Sequence, residues 1–123
     1  MDDTAAVVAT VTDYFEGWFD GDAGRMERAL HPALAKTGVR TDPAGQLATE
    51  SMGAADMIGW TREGEGVARK PAGFTFDVTV NEIYHEIATV TVHSPVYREY
   101  LHLIRTADGW RILNAVYMNV LET

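Results

Sequence analysis

The strongest pattern in the sequence is a long β-hairpin near its C-terminal end. Two runs rich in aromatic and β-branched residues, 96–106 and 110–121, flank Ala107-Asp108-Gly109, and Asp-Gly is a strong hairpin-turn signal. A strand on a half-solvated sheet alternates apolar with polar residues, but the second run is apolar on both faces. Strict alternation puts Trp110, Ile112, Val116, Met118 and Val120 on one face and Leu113, Ala115, Tyr117 and Leu121 on the other. We therefore expect helices to cover one face and a second subunit, in a homodimer, to cover the other.

Length and composition favour one ordinary globular domain spanning residues 1–123. The chain is 46% hydrophobic and 23% charged, which is typical of a folded domain with one core. It has no Cys, which excludes disulfides and thiolate metal sites. The net charge of -8 argues against nucleic acid or an anionic membrane surface as a partner.

The chain lacks the sequence features of a membrane or exported protein. No apolar run approaches the roughly 18–20 residues that a membrane-spanning helix requires. The first residues, Met1-Asp2-Asp3, are acidic, whereas a targeting segment begins with basic residues. We therefore expect a cytoplasmic protein.

Three helices are predicted in the first half of the chain. Residues 3–20 carry an apolar stripe at helical spacing, with acidic residues at the start and Gly21 as a stop. A short helix at 23–30 ends before Pro32, and a third helix covers 54–63. Residues 67–73 are predicted to form a loop.

Extended segments fill much of the remaining chain. Two short ones are predicted at 34–41 and 46–52, and two longer ones at 74–83 and 87–93, ahead of the hairpin. Helices followed by a run of strands indicate an α+β fold. The four long segments are expected to form one curved antiparallel sheet with the helices on its concave side.

This order of elements resembles the NTF2-like (SnoaL-like) superfamily over nearly the whole chain. The resemblance rests on residues 14–22 (YFEGWFDGD), 26–32 (MERALHP), 99–104 (EYLHLI) and 108–114 (DGWRILN). Within the superfamily, the last three motifs resemble the branch called putative lumazine-binding. The resemblance implies a cone in which three N-terminal helices pack on a strongly curved, mixed and mainly antiparallel sheet.

The same fold serves ketosteroid isomerases, whose chemistry requires a carboxylate base and an oxyanion hole of a tyrosine and a protonated aspartate. Tyr14 stands where that tyrosine is expected. An ungapped count puts Gly38 at the position of the base and Leu101 at or near the second acid. Asp42 could stand in for the isomerase's carboxylate base only if the alignment with the isomerases is shifted by four residues. We therefore do not expect steroid isomerisation.

Three residues are candidates for acid/base catalysis: His31, Glu99 and Tyr14. His31 is either a general base near the cavity mouth or a favourable charge at a helix C-terminus. Glu99 shares a strand face with Leu101, so it is either a desolvated acid on the cavity wall or the partner of Arg111. Tyr14 either faces a ligand or fills the core with its hydroxyl at the rim.

The candidate ligand-binding residues form a wider set. A small hydrophobic or aromatic molecule is the expected ligand, since such sites are mostly apolar with few polar anchors. The alternative is that the aromatic side chains simply fill the cone. Asn114 and Tyr117 lie on opposite faces of the last strand unless a bulge intervenes. The set comprises Tyr14, Trp18, His31, Trp60, Leu101, Asn114 and Tyr117.

The sequence contains no metal-binding or cofactor-binding motif. His85, His93 and His102 have spacings that fit no compact ligand set, so we expect no metal and no cofactor. Lys36 is expected to be an exposed strand lysine, with anion binding as the alternative. Three functions remain open: a small-molecule-binding cone, a cofactor-independent dehydratase, cyclase or isomerase, and a module that serves only assembly.

Overall fold

A computed structural model describes residues 2–120 of the chain. It contains four helices, one more than expected. They are α1 (Asp3–Asp20), α2 (Ala23–Ala29), α3 (Ala54–Glu63) and α4 (Glu65–Arg69). None of the helices in this part of the chain is both long and apolar enough to cross a membrane.

Six strands form a single sheet in the order β2-β1-β6-β5-β4-β3. Strands β1 and β6 pair in parallel, and the other four neighbouring pairs are antiparallel. The predicted α+β class with a mixed, mainly antiparallel sheet is confirmed. The strands are β1 (Leu30–Thr41), β2 (Leu47–Met52), β3 (Asp77–Tyr84), β4 (Ile87–His93), β5 (Tyr97–Thr106) and β6 (Gly109–Asn119).

Helix α1 follows from its sequence signals. The Asp2 side chain accepts a hydrogen bond from the Ala5 N–H at 2.8 Å, which caps the N-terminus. Gly21 ends the helix in the left-handed conformation, at φ 70°. The apolar stripe is buried against the sheet, including Val7, Val11, Tyr14, Phe15 and Phe19.

Helix α4 occupies part of the segment that the sequence predicts as a loop. Gly64, at φ 85°, ends α3 and lets the chain turn directly into α4. Gly66 then packs on the backbone of α1, because a Cβ built at this residue would lie 2.1 Å from the Trp18 carbonyl oxygen. A glycine thus allows the close approach that holds α4 against α1.

A β-bulge changes which residues of β6 face inward. The pairing with β5 shifts register between His102 and Leu103, so that Leu113 is an extra residue in β6. Trp110 and Ile112 face inward before the bulge, and Ala115 faces inward after it. The strict alternation predicted from the sequence is therefore wrong beyond the bulge. Val116 is 40% exposed instead of sharing the face of Trp110, and Leu121 lies outside the described residues.

Strand β5 has the facing that the sequence predicts. Glu99, Leu101 and Leu103 are buried on its inner face, while Arg98, Tyr100 and His102 are exposed on the outer one. The neighbouring β6 brings Tyr117 opposite Glu99, and on its other side Tyr117 pairs with Gly38 of β1. The inner face of these three strands forms one wall of the cone.

Replacing Gly66 with Ala tests the packing of α4. We expect Gly66→Ala to lower the free energy of unfolding by about 1–3 kcal/mol, the usual cost of forcing an added methyl into a tight contact. Gly59→Ala is the matched control, because nothing lies within 4 Å of a Cβ built there. In a helix interior that change should stabilise the protein by up to about 1 kcal/mol. Urea denaturation measures both, and unchanged stability in Gly66→Ala would contradict the packing described for α4.

Candidate functional site

The cone contains a partly open cavity of about 280 Å³ between the helices and the inner face of the sheet. Aromatic side chains form much of its wall, and Met52 and Met57 add flexible apolar surface. The aromatic residues are Tyr14, Phe15 and Trp18 from α1, Trp60 from α3, Tyr97 from β5 and Tyr117 from β6. Such a wall suits a flat apolar ligand.

A buried polar cluster of three side chains also lines the cavity: Tyr14 from α1, Lys36 from β1 and Glu99 from β5. The Tyr14 hydroxyl donates a hydrogen bond to Glu99 Oε2 at 2.6 Å. Lys36 Nζ in turn donates to the Tyr14 hydroxyl oxygen, and it lies 3.5 Å from Glu99 Oε2. The hydroxyl therefore bridges the ammonium and the carboxylate. We call these residues the Tyr14–Lys36–Glu99 cluster.

The sheet geometry explains how Lys36 and Glu99 meet across an intervening strand. Strand β6 lies between β1 and β5, and Ala115 of β6 is the partner of Lys36. Because Ala115 is small, the lysine side chain can pass over β6 toward β5. Its ammonium lies 4.9 Å from the centre of the Tyr14 ring and 4.7 Å from that of Tyr117. Both distances fall within the range of cation–π attraction.

The cluster is almost completely removed from solvent. The Lys36 side chain is 8% exposed and the Glu99 side chain 2% exposed. Burying either charge alone would be costly, so the ion pair, the hydrogen bonds through Tyr14 and the ring contacts must offset the lost hydration. The burial of each of the three residues therefore depends on the other two.

Burial and the Glu99 charge act together on the tyrosine but oppose each other on the lysine. Burial, and then the Glu99 carboxylate, raises the pKa of the Tyr14 hydroxyl well above its ordinary value. Tyr14 thus remains a hydrogen-bond donor at neutral pH. Burial lowers the pKa of the Lys36 ammonium, an effect that the nearby Glu99 carboxylate partly offsets.

One further donor on the cavity wall lies near a hydroxyl oxygen without forming a well-aligned hydrogen bond to it. The Trp18 indole N–H is buried beside the Tyr97 hydroxyl, but it makes no hydrogen bond to any residue between 2 and 120. Burial also raises the pKa values of Tyr97 and Tyr117. A buried donor without a partner costs free energy, which an acceptor atom of a ligand would recover.

Charged residues of α4 and β2 complete the lining. Arg69 donates to the Glu65 carboxylate at 2.9 Å, and about half of each side chain is exposed. Glu50 of β2 and Asn119 of β6 also line the cavity. The partly exposed Glu65–Arg69 pair therefore contributes a polar, solvated side of the cavity, in contrast to the buried cluster.

The structure brings together five of the residues proposed from the sequence: Tyr14, Trp18, Trp60, Glu99 and Tyr117 all line the cavity. The other three, His31, Leu101 and Asn114, are not among the lining residues.

Each of these three has another environment. His31 Nδ1 accepts a hydrogen bond from the Ala33 N–H at 3.0 Å, and Leu101 is fully buried in the core. Asn114 follows the bulge and donates to the Ala35 carbonyl oxygen at 3.3 Å. Of the two β6 residues whose direction the sequence left open, Tyr117 therefore faces the cavity and Asn114 does not.

One expectation about a charged residue is wrong, because Lys36 is buried rather than exposed. Of the two alternatives for Glu99, the structure has the desolvated acid on the cavity wall, paired with Tyr14 and Lys36, and not the pair with Arg111. The sequence does contain a signal for Lys36, because it alternates with Leu34 and Gly38, which are also buried on β1. Strand periodicity would have placed the lysine inside, whereas its residue type suggested the surface.

Gly38, where the resemblance to isomerases leads one to expect a carboxylate base, has no room for a larger side chain. A Cβ built on Gly38 would lie 2.9 Å from three atoms of the Tyr117 side chain. The Tyr117 ring therefore covers this residue and occupies the space that a larger side chain would need.

The described residues contain no group of three or more His, Asp or Glu side chains close enough together to hold a metal ion. The buried charged groups on the cavity wall are those of the Tyr14–Lys36–Glu99 cluster. They can donate hydrogen bonds, hold a proton or pass it along the three side chains.

Comparison with solved structures identifies the fold as that of the NTF2-like proteins. An NTF2-like protein of unknown function from Methylobacillus flagellatus has a TM-score of 0.76 and 19% sequence identity, over 98% of this chain and 94% of that chain. Another, from Silicibacter pomeroyi, has a TM-score of 0.73 and 20% identity over 95% of each chain. A protein described as a putative dehydratase of the NTF2-like family, from Streptomyces avermitilis, has a TM-score of 0.61 and 16% identity over 98% of this chain and 97% of that chain.

The sequence also matches one family. The family model described as "Putative lumazine-binding" matches residues 2–118, and the chain belongs to this family. A search of curated protein sequences finds no match. The three solved structures named above are all below 25% identity and support the fold alone.

A double-mutant cycle measures the coupling free energy between Lys36 and Glu99. We expect Lys36→Met to lower the free energy of unfolding by about 3–5 kcal/mol, because it leaves the Glu99 carboxylate without its counter-charge. Adding Glu99→Leu should recover much of that loss, since no unpaired charge then remains buried.

The chain offers a matched control in Lys70. This residue forms an ion pair with Asp20 at 2.8 Å, and the two side chains are 42% and 49% exposed. Lys70→Met should cost less than about 1 kcal/mol in the same urea titration. A Lys36→Met variant as stable as Lys70→Met would contradict the arrangement of the cluster.

Proposed function

We propose that the protein binds a small aromatic or hydrophobic molecule within the cone. The observation that carries this proposal is the aromatic-walled cavity of about 280 Å³ with a buried polar cluster on its wall. Small-molecule sites combine apolar walls with a few fixed polar groups in the same way. The chain's membership of a family described as putative lumazine-binding supports a small ligand in general terms.

The polar groups of the wall favour a ligand that carries a hydrogen-bond acceptor. An ammonium has three N–H bonds, and Lys36 directs one of them to Tyr14. The Trp18 N–H supplies a second donor without a partner in the described chain. A carbonyl or anionic oxygen beside either group would satisfy it, while the ring to which the oxygen is attached contacts Trp60 and Tyr117.

The cavity volume limits the size of the ligand. Sites for drug-sized molecules run from about 300 to 1,000 Å³, so this cavity is at the small end. A compound with one or two fused rings matches that space.

Catalysis without a cofactor is the second candidate function. It is favoured by one observation, the 2.6 Å hydrogen bond between Tyr14 and Glu99 on the cavity wall. A buried carboxylate next to a hydroxyl donor is suited to moving a proton in a dehydratase, cyclase or isomerase reaction. His31 is not part of this arrangement, because it does not line the cavity. Mass analysis of a bound compound after incubation with the protein distinguishes turnover from binding.

Ligand screening tests the binding proposal. We expect flat aromatic compounds with one carbonyl or anionic group to raise the melting temperature and to change the fluorescence of Trp18 and Trp60. Trp60→Leu should weaken binding by about 2- to 10-fold, the equivalent of one aromatic contact. Tyr84→Leu is the control, because Tyr84 is 65% exposed at the end of β3. The proposal fails if no compound in an aromatic and polycyclic set stabilises the protein.

We further propose that the protein forms a homodimer through the outer face of β5 and β6. Tyr100 and Val116 are directly opposite each other on that face and are 53% and 40% exposed. Leu113, Ile104 and Met118 are partly exposed nearby. Exposed apolar residues grouped on one sheet face are typical of an association surface.

Sedimentation of charge variants tests this interface. Val116→Lys would put a charge into the apolar centre of the proposed interface, and we expect it to convert the dimer to a monomer at micromolar concentration. Leu47→Lys is the control, because Leu47 is 76% exposed on the edge strand β2, away from the proposed face. A wild-type protein that sediments as a monomer would contradict the proposal, as would dissociation caused by Leu47→Lys.

A further inference from the structure

The two lysines of the chain have opposite environments. Lys70 is about half exposed and paired with Asp20, whereas the Lys36 ammonium is buried on the cavity wall between two tyrosine rings. A buried lysine is costly, and Lys36 is the one that contacts the space proposed to hold the ligand.

We infer that Lys36 is a nucleophile that forms an imine with the carbonyl carbon of an aldehyde or ketone bound in the cavity. This inference rests on the proposed function, and it adds the chemical class of the ligand. Lysines that form imines with carbonyl compounds are commonly activated by an apolar pocket, because only the neutral amine attacks.

The geometry of the cluster differs from that of a simple ion pair. Lys36 Nζ is 3.5 Å from Glu99 Oε2, longer than the 2.7–2.9 Å or so of a direct charge-assisted hydrogen bond. The Tyr14 hydroxyl lies between them and hydrogen-bonds to both. A proton can therefore pass from the ammonium to the carboxylate through the hydroxyl, which leaves a neutral amine at the cavity.

Burial assists this transfer. It lowers the pKa of the Lys36 ammonium, although the Glu99 carboxylate acts in the opposite direction. Tyr14 keeps its own proton because its pKa is raised, so the hydroxyl passes on a proton without remaining ionised. The pKa direction supports the inference, while the position of the amine in the cavity carries it.

The reaction balances without an oxidant or a reductant. The Lys36 ammonium first gives a proton to Glu99 by way of Tyr14, and the neutral nitrogen forms a bond to the carbonyl carbon. The carbonyl π electrons move to oxygen, which takes up a proton from the attacking nitrogen to give a neutral carbinolamine. The carbinolamine oxygen then takes up the proton held by Glu99 and leaves as water when the nitrogen lone pair forms the C=N bond, so Glu99 is a carboxylate again. Of the three ammonium protons, two leave in the water and one stays on the iminium nitrogen.

The residues around Lys36 suit the iminium product as well as the free amine. An iminium keeps the positive charge of the ammonium, so it retains the Glu99 counter-charge and the contacts with the rings of Tyr14 and Tyr117. Because imine formation releases water, the exclusion of solvent around the buried Lys36 nitrogen also favours the product over hydrolysis.

Reductive trapping with 2-naphthaldehyde tests the inference on the wild-type protein. Sodium cyanoborohydride at pH 7 converts an imine to a stable secondary amine, and peptide mapping by mass spectrometry reports the rate at each lysine. We expect Lys36 to be labelled at least about tenfold faster than Lys70, since binding places the aldehyde beside this amine. The carbonyl-free analogue 2-naphthalenemethanol should compete and slow the labelling of Lys36 alone.

Two variants serve as matched controls. Lys36→Arg keeps the positive charge but cannot form the imine, so the rapidly formed adduct should disappear. Lys70→Arg should leave the rate at Lys36 unchanged. Because the comparison of Lys36 with Lys70 is made within one wild-type molecule, the test does not depend on the folding of either variant.

Binding measured without the reductant separates the two proposals. If melting temperature and tryptophan fluorescence show that both naphthyl compounds bind but Lys36 is labelled no faster than Lys70, the imine inference is overturned and the binding function stands. If neither compound binds and Lys36 is not labelled, both proposals fail. Rapid labelling of Lys36, slowed by the alcohol, supports both.

Discussion

The hydrogen bonds that the Tyr14 hydroxyl makes to Lys36 and Glu99 join three elements of the cone, α1, β1 and β5. Neither charged group would be tolerated in this interior alone, so each constrains the position of the other. The tyrosine fixes the distance between them, since its hydroxyl oxygen accepts from one and donates to the other. The packing of α1 on the sheet is thus linked to the chemistry of the cavity wall.

The cavity combines two environments that favour different properties of a ligand. Its aromatic and methionine side chains favour the burial of a flat apolar ring. The buried cluster and the Trp18 N–H favour a ligand with a hydrogen-bond acceptor placed beside them. Leu101 and Gly38 differ from the acids of an isomerase site, and the Tyr117 ring fills the space over Gly38. Of the three groups that the resemblance to ketosteroid isomerases leads one to expect, only the tyrosine is present, and Lys36 and Glu99 supply the other polar groups of this cavity wall.

Local signals in the sequence were sufficient for much of the fold. The acidic start of α1, Gly21 as its stop and the Asp-Gly turn each determine a short segment, and the structure confirms all three. The bulge at Leu113 could not be predicted, because it depends on how β6 pairs with β5. The burial of Lys36 was also missed, since the partners that make it tolerable are distant in sequence. Sequence reasoning therefore found five cavity residues, but not the lysine on which the proposed chemistry rests.

The parallel pairing of β1 with β6 has a consequence for folding. Lys36 lies opposite Ala115, and the Tyr14–Glu99 hydrogen bond joins residues separated by 85 positions. Closing such large loops has an entropic cost that is recovered only when the last strand docks, so contacts of this kind form slowly. The β5–β6 hairpin is local and can form early, whereas the cavity requires α1, β1 and β6 together. During synthesis α1 and β1 emerge well before β6, so the cavity wall cannot be completed until this last strand is available.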